Sequence, residues 1–139
     1  MKQLKLKHLK ESQLFSEKWL FVVTALFALL ILALVIGANT GHLPDLIDRI
    51  YRLPRGDKFG HLILFGILSF LLNKSALAFF PEQNPVRLVL TVTLLLSIVV
   101  GLEEWSQALF PGRLPSIKDL IASYMGVFPA AFLAYWTRR

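Results

Sequence analysis

Twenty consecutive residues without a charge, WLFVVTALFALLILALVIGA from Trp19 to Ala38, restrict this chain to very few solvents. At about 1.5 Å per residue, a helix of that length covers roughly 30 Å, the thickness of a bilayer's hydrocarbon core. Lipid offers no partner to backbone N–H and C=O groups, so such a run must close its own hydrogen bonds as a helix. Lysines precede the run, as they do in a signal peptide. Its apolar core exceeds the roughly 7–15 residues of a signal h-region, which predicts an uncleaved span. Composition agrees: the 139 residues are 55% hydrophobic and only 17% charged, with a mean hydropathy of +0.60. A soluble domain of this size could not cover its surface from that supply.

Three further segments have spanning length, at about 59–80, 86–109 and 117–136. The second carries Asn73 and Lys74 near its end, where a lysine can extend its ammonium to the interface. The fourth contains Pro129, a predicted kink. Trp19, Trp105, Tyr135 and Trp136 fall near span ends, at headgroup level. The expected fold is all-α, an integral membrane bundle of four transmembrane helices in a single domain covering 1–139. No cysteine is present, so disulfides, thiolate metal sites and cysteine nucleophiles are excluded.

Four spans put both termini and the connection between spans two and three on one side. That side holds nine basic residues: Lys2, Lys5, Lys7, Lys10, Lys18, Lys74, Arg87, Arg138 and Arg139. The other side holds six: Arg49, Arg52, Arg55, Lys58, Arg113 and Lys118. Basic residues favour the cytoplasm, so both termini are expected inside a multi-pass inner-membrane protein. The net charge of +6 is then read as attraction to anionic lipid rather than to nucleic acid. The N-terminal MKQLKLKHLKESQLFSEKW reads as a basic amphipathic segment on the inner leaflet, or simply as the topology signal.

On this topology the start of span two, the end of span three and the start of span four meet at the outer face. They bring Asp57, Lys58, His61, Glu103, Glu104, Gln107, Arg113, Lys118 and Asp119 to one layer. Ionisable groups at membrane depth are costly, so they face the bundle interior, pair, or bind something. Asp57 and His61 are i,i+4; Glu104 and Gln107 are i,i+3; Glu103 and Gln107 are i,i+4. Glu103 and Glu104 cannot fully share a helix face, so one is expected inward and the other toward headgroups or solvent. Ser123 and Gly126 are small enough for a second helix to approach closely. FPGRLPS predicts a tight turn at Pro111–Gly112. Ser116 is a candidate N-cap for span four, and Asp119 a candidate capping-box acid. HLPDLIDRIYRLPRG places Leu43, Leu46, Ile47, Ile50 and Tyr51 on one face behind Pro44. It reads as a short interfacial helix, a surface connection more than a lid.

The segments DKFGHLILFGILSFLL and EEWSQALFPGRLPSIKDLIASYMG together resemble the VanZ-like family of small bacterial membrane proteins. The family pattern places D-K-x-x-H at one helix head, matched by Asp57, Lys58 and His61. E-x-x-Q follows, matched by Glu104 and Gln107, then P-G-R at Pro111, Gly112 and Arg113. An Asp opening the last helix and a downstream Gly are matched by Asp119 and Gly126. Ser123 stands where the family commonly has Asn. The match runs from Asp57 to the C-terminus and selects Glu104 as the inward carboxylate. The family's name comes from a glycopeptide-resistance protein that reduces sensitivity to teicoplanin, so the resemblance implies a role in the bacterial envelope.

Three classes of function suit these residues. The first is binding of an anionic lipid or cell-wall precursor at the outer leaflet. Asp57, Lys58, His61, Glu104, Gln107, Arg113 and Asp119 would form the site, with Lys58, Arg113 and the neighbouring Lys118 meeting phosphate. The second is a membrane enzyme using the carboxylates and His61 as acid and base. The third is a structural or assembly subunit, in which Glu104 pairs with Arg113 or Lys58 and His61 is an interface histidine. Asp57, His61, Glu104 and Asp119 are suitable metal ligands, but no H-E-x-x-H or equivalent spacing occurs, and no metal or cofactor is expected. Ser106 and Ser116 lack the turn context of a hydrolase nucleophile.

Overall fold

The computed structural model describes the backbone of residues 2–138 and the side chains of residues 16–138. The amphipathic reading of the basic segment concerns side chains that lie largely outside the described residues. Five α-helices follow in order: α1, Lys2–Thr40; α2, Asp45–Tyr51; α3, Gly56–Phe79; α4, Pro85–Ser106; and α5, Ile117–Trp136. A 3₁₀ turn, Gln107–Leu109, extends α4. Four stretches are long and apolar enough to cross a membrane: Ser16–Thr40, Gly56–Phe79, Pro85–Leu109 and Ile117–Trp136. The protein is an all-α bundle of four membrane-spanning helices.

Local chemistry sets the helix ends. Asn84 accepts hydrogen bonds from the N–H groups of Val86 (3.0 Å) and Arg87 (3.1 Å), and Pro85 takes the first helical position of α4, where its missing N–H costs nothing. At the start of α3 a Cβ on Gly56 would collide with the carbonyl oxygen of Ile50, so only glycine lets α2 fold back onto α3. In α2, Pro44 is the N-cap residue rather than the first helical one. α5 runs unbroken through Pro129.

Helix α3 is the hub and touches α1, α2, α4 and α5. It runs parallel to α5, and the two backbones are in contact. A Cβ on Gly66 would lie 3.4 Å from the Gly126 Cα, and one on Gly126 would collide with the Leu62 carbonyl oxygen. Close approach through small residues is how helices associate where lipid removes the hydrophobic drive. Side-chain hydrogen bonds continue the seam. Ser69 Oγ donates to the Val127 carbonyl at 2.8 Å, and Lys74 Nζ reaches the Thr137 carbonyl at 2.8 Å, as expected of a lysine near a span's end. Thr24 and Ser75 link α1 to α3 at 2.8 Å. Tyr124 Oη donates to the Ser97 carbonyl at 3.1 Å, linking α5 to α4.

Ile31, Phe65, Leu68, Leu96, Val100 and Val127 form the shared core. Large apolar side chains such as Leu26, Leu90, Leu94, Met125 and Phe132 stay exposed on the bundle's exterior. That inversion suits lipid as the outer solvent. Trp19, Trp105 and Trp136 are all exposed near span ends, the placement of an aromatic belt.

Candidate functional site

The polar residues concentrate where α3 and α5 begin and α4 ends. Three local devices arrange them. At the head of α3, Asp57 Oδ1 accepts the N–H of Lys58 at 2.8 Å while Oδ2 takes the Lys58 ammonium at 2.9 Å. The same ammonium lies 3.1 Å from Asp119 Oδ1 on α5. Its angle falls outside hydrogen-bond geometry, but Coulomb attraction needs only the distance. Lys58 therefore joins two helix heads and is neutralised by two carboxylates.

At the head of α5, Ser116 is the N-cap and accepts the N–H of Asp119 at 3.3 Å. The expected capping-box acid is not Asp119. The Ser116 N–H donates to Glu104 Oε1 on α4 at 2.6 Å, so a carboxylate from a different helix does that work. Asp119 is thereby released to Lys58. The positive end of the α5 dipole already faces an anion, Glu104.

The third device centres on His61, which is 5% exposed. Its Nδ1 is 3.1 Å from Ser123 Oγ, and Ser123 donates its one hydroxyl proton to the Asp119 carbonyl at 3.0 Å. Ser123 can then only accept from His61. Nδ1 is therefore the donor to Ser123. Near the ring, Gln107 Nε2 donates to Glu103 Oε1 and Glu104 Oε2, both at 3.2 Å. One candidate ligand atom from each of His61, Glu103 and Glu104 lies within 4.8 Å of the other two. Glu103 Oε2 is buried without a hydrogen-bond partner.

The expectation that one of the adjacent glutamates turns away is corrected here. The Gln107 amide gathers both, and the i,i+4 spacing of Glu103 to Gln107 was the sequence signal. Lys58, expected to meet phosphate, is engaged by Asp57 and Asp119. Arg113 pairs with neither Glu104 nor Asp119. Among the described residues its guanidinium makes no ion pair or side-chain hydrogen bond. Only its backbone N–H is used, on the Phe110 carbonyl at 3.2 Å. Half-buried, Arg113 borders a cleft of about 520 Å³ with Asn39 and Gly112 and one of about 410 Å³ with Asp48, Tyr51 and Arg52. It also lines a small cavity of about 30 Å³ with Tyr51, His61 and Glu103. Lys118 is exposed on the rim.

Tyr51 is the neighbour that sequence reasoning assigned to an apolar helix face. Its ring packs on Gly60, with carbons and the hydroxyl 3.5–3.8 Å from where a Cβ would stand. Burial raises its pKa above the usual 10.0, against a smaller lowering by the nearby Arg113 charge. The phenol is a neutral hydrogen-bond donor throughout the physiological range.

Compared with family models, curated proteins and solved structures, the chain has no match in any of the three. Its chemistry therefore rests on its own geometry.

Proposed function

We propose that this chain is a VanZ-like protein of the bacterial cytoplasmic membrane that binds an anionic lipid or cell-wall precursor at the outer leaflet, with Arg113 as the anion-holding group. The observation that carries the reading is the unspent guanidinium of Arg113 beside two open clefts, in a protein whose other central cation, Lys58, is already neutralised. A guanidinium presents five donors in a planar fork that matches phosphate. The protonated phenol of Tyr51 adds a donor at the same cavity. The excess of basic residues at the opposite end supports both termini in the cytoplasm. By family resemblance, the reading extends to lowered sensitivity to teicoplanin.

One observation favours a second reading for part of the cluster. Glu104, Ser116, Lys58 and Asp119 are bonded to one another across helix heads, which is the pattern of a structural clamp.

Binding of the full chain to nanodiscs of phosphatidylglycerol and of phosphatidylcholine tests the proposal. Preference for the anionic lipid is expected, lost in Arg113→Ala and reduced in Arg113→Lys, with protein levels intact. Equal binding by all three proteins counts against it. If both variants instead fail to accumulate, the arginine is part of the clamp and the structural reading gains.

A further inference from the structure

Two carboxylates and an imidazole converge on one buried point in this bundle, although no short metal-binding motif links them. Glu103 and Glu104 are adjacent in sequence, and His61 lies on another helix; one candidate ligand atom of each lies within 4.8 Å of the other two. Bringing two carboxylates together near membrane depth is unfavourable unless positive charge offsets them. The Lys58 ammonium is engaged by Asp57 and Asp119. Arg113 forms an ion pair with neither glutamate.

Glu103 Oε2 is buried and accepts no hydrogen bond. Gln107 spends its amide holding one oxygen of each carboxylate. Ser123 holds His61 Nδ1 in its protonated form, by passing its own proton to the Asp119 carbonyl. A hydrogen bond of that kind orients metal-binding histidines, and in the neutral ring it leaves Nε2 free to ligate. The adjoining cavity of about 30 Å³, lined by His61, Glu103, Tyr51 and Arg113, exceeds the roughly 10–15 Å³ that one water requires.

We propose that His61, Glu103 and Glu104 form a binding site for one divalent transition-metal cation, zinc or manganese. Gln107 and Ser123 position its ligands. The imidazole suits zinc and the two carboxylates suit either ion, whereas calcium and magnesium favour oxygen alone. Tetrahedral zinc with bonds of about 2.0–2.1 Å holds its ligand atoms about 3.4 Å apart, so the three side chains draw in slightly on binding. Three protein ligands leave a coordination position facing the cavity. None of the three is Arg113, on which the anion reading rests, although both sites border the cavity lined by Tyr51 and Arg113.

The test uses the full chain in nanodiscs, stripped with chelator and titrated calorimetrically with zinc sulfate and with manganese chloride. One equivalent of at least one of them should bind saturably. Glu103→Gln should weaken that binding at least about tenfold, while the melting temperature of the stripped protein stays that of the wild type. X-ray absorption at the bound metal's edge, which needs no variant, should show one imidazole among light-atom ligands. Absence of saturable binding by both ions, binding unchanged in Glu103→Gln, or an all-oxygen shell would each overturn the proposal.

Discussion

Glu104 of α4 accepts the backbone N–H of Ser116 at 2.6 Å, closing the head of α5 from a neighbouring helix. Twelve residues separate the two, and the Pro-Gly turn folds between them. An exposed N-cap N–H has water as an alternative partner, but this one has a charged acceptor that is itself 4% exposed. The bond therefore does two things: it caps α5 and it fixes the angle between α4 and α5.

Glu104→Ala should consequently destabilise the bundle by about 1–3 kcal/mol, because it strands a donor and removes a charge-assisted bond. Glu104→Gln keeps an acceptor and should cost less. Unfolding in detergent measures both. Equal stability of Glu104→Ala and the wild type would show that the cap is dispensable.

The contact between α3 and α5 gives a sharper steric test. Gly126→Ala drives a methyl into the Leu62 carbonyl oxygen and should cost about 1–3 kcal/mol, the usual range for overpacking. At Gly101 the nearest atom to an added Cβ is the Tyr124 hydroxyl at 3.4 Å. Gly101→Ala should be tolerated far better. The order of the two melting temperatures decides.

Lys58 and Arg113 carry the same formal charge and should behave oppositely. Lys58→Ala leaves Asp57 and Asp119 facing each other without a cation and should lower the melting temperature. Arg113→Ala breaks no bond and should leave it unchanged. A loss of stability in Arg113→Ala as large as that in Lys58→Ala would mean that the guanidinium is structurally engaged.

Orientation can be read chemically, since the chain has no cysteine of its own. Leu114 is 85% exposed in the turn before α5, and Gln83 is exposed in the turn before α4 at the other end. In intact cells, Leu114→Cys should react with a membrane-impermeant maleimide and Gln83→Cys should not. The reverse pattern would place the site in the cytoplasm.

Much of the architecture was legible along the chain because lipid makes helix formation a local matter. Trp19–Ala38 has to satisfy its own backbone wherever the other helices lie, and the four spans follow from apolar length alone. The turn at Gly112 and the caps at Asn84 and Ser116 are also local. So is the convergence of Asp57, His61, Glu104, Gln107, Arg113 and Asp119 at one end, which parity of crossing requires. Tertiary structure decided who bonds to whom. Asp119 is the nearer candidate for the Ser116 N–H by sequence, yet Glu104 takes it, because the close packing of α3 and α5 brings Lys58 to Asp119. Glu103 turns inward despite its neighbour because Gln107, one turn on, can donate to both carboxylates at once. Among the described residues Arg113 forms no ion pair: Lys58 and Ser116 engage Asp57, Asp119 and Glu104, and the unsatisfied Glu103 Oε2 in the cavity that Arg113 borders lies outside ion-pair distance of it. Such outcomes depend on competition among partners from separate helices, and only packing in three dimensions sets those distances.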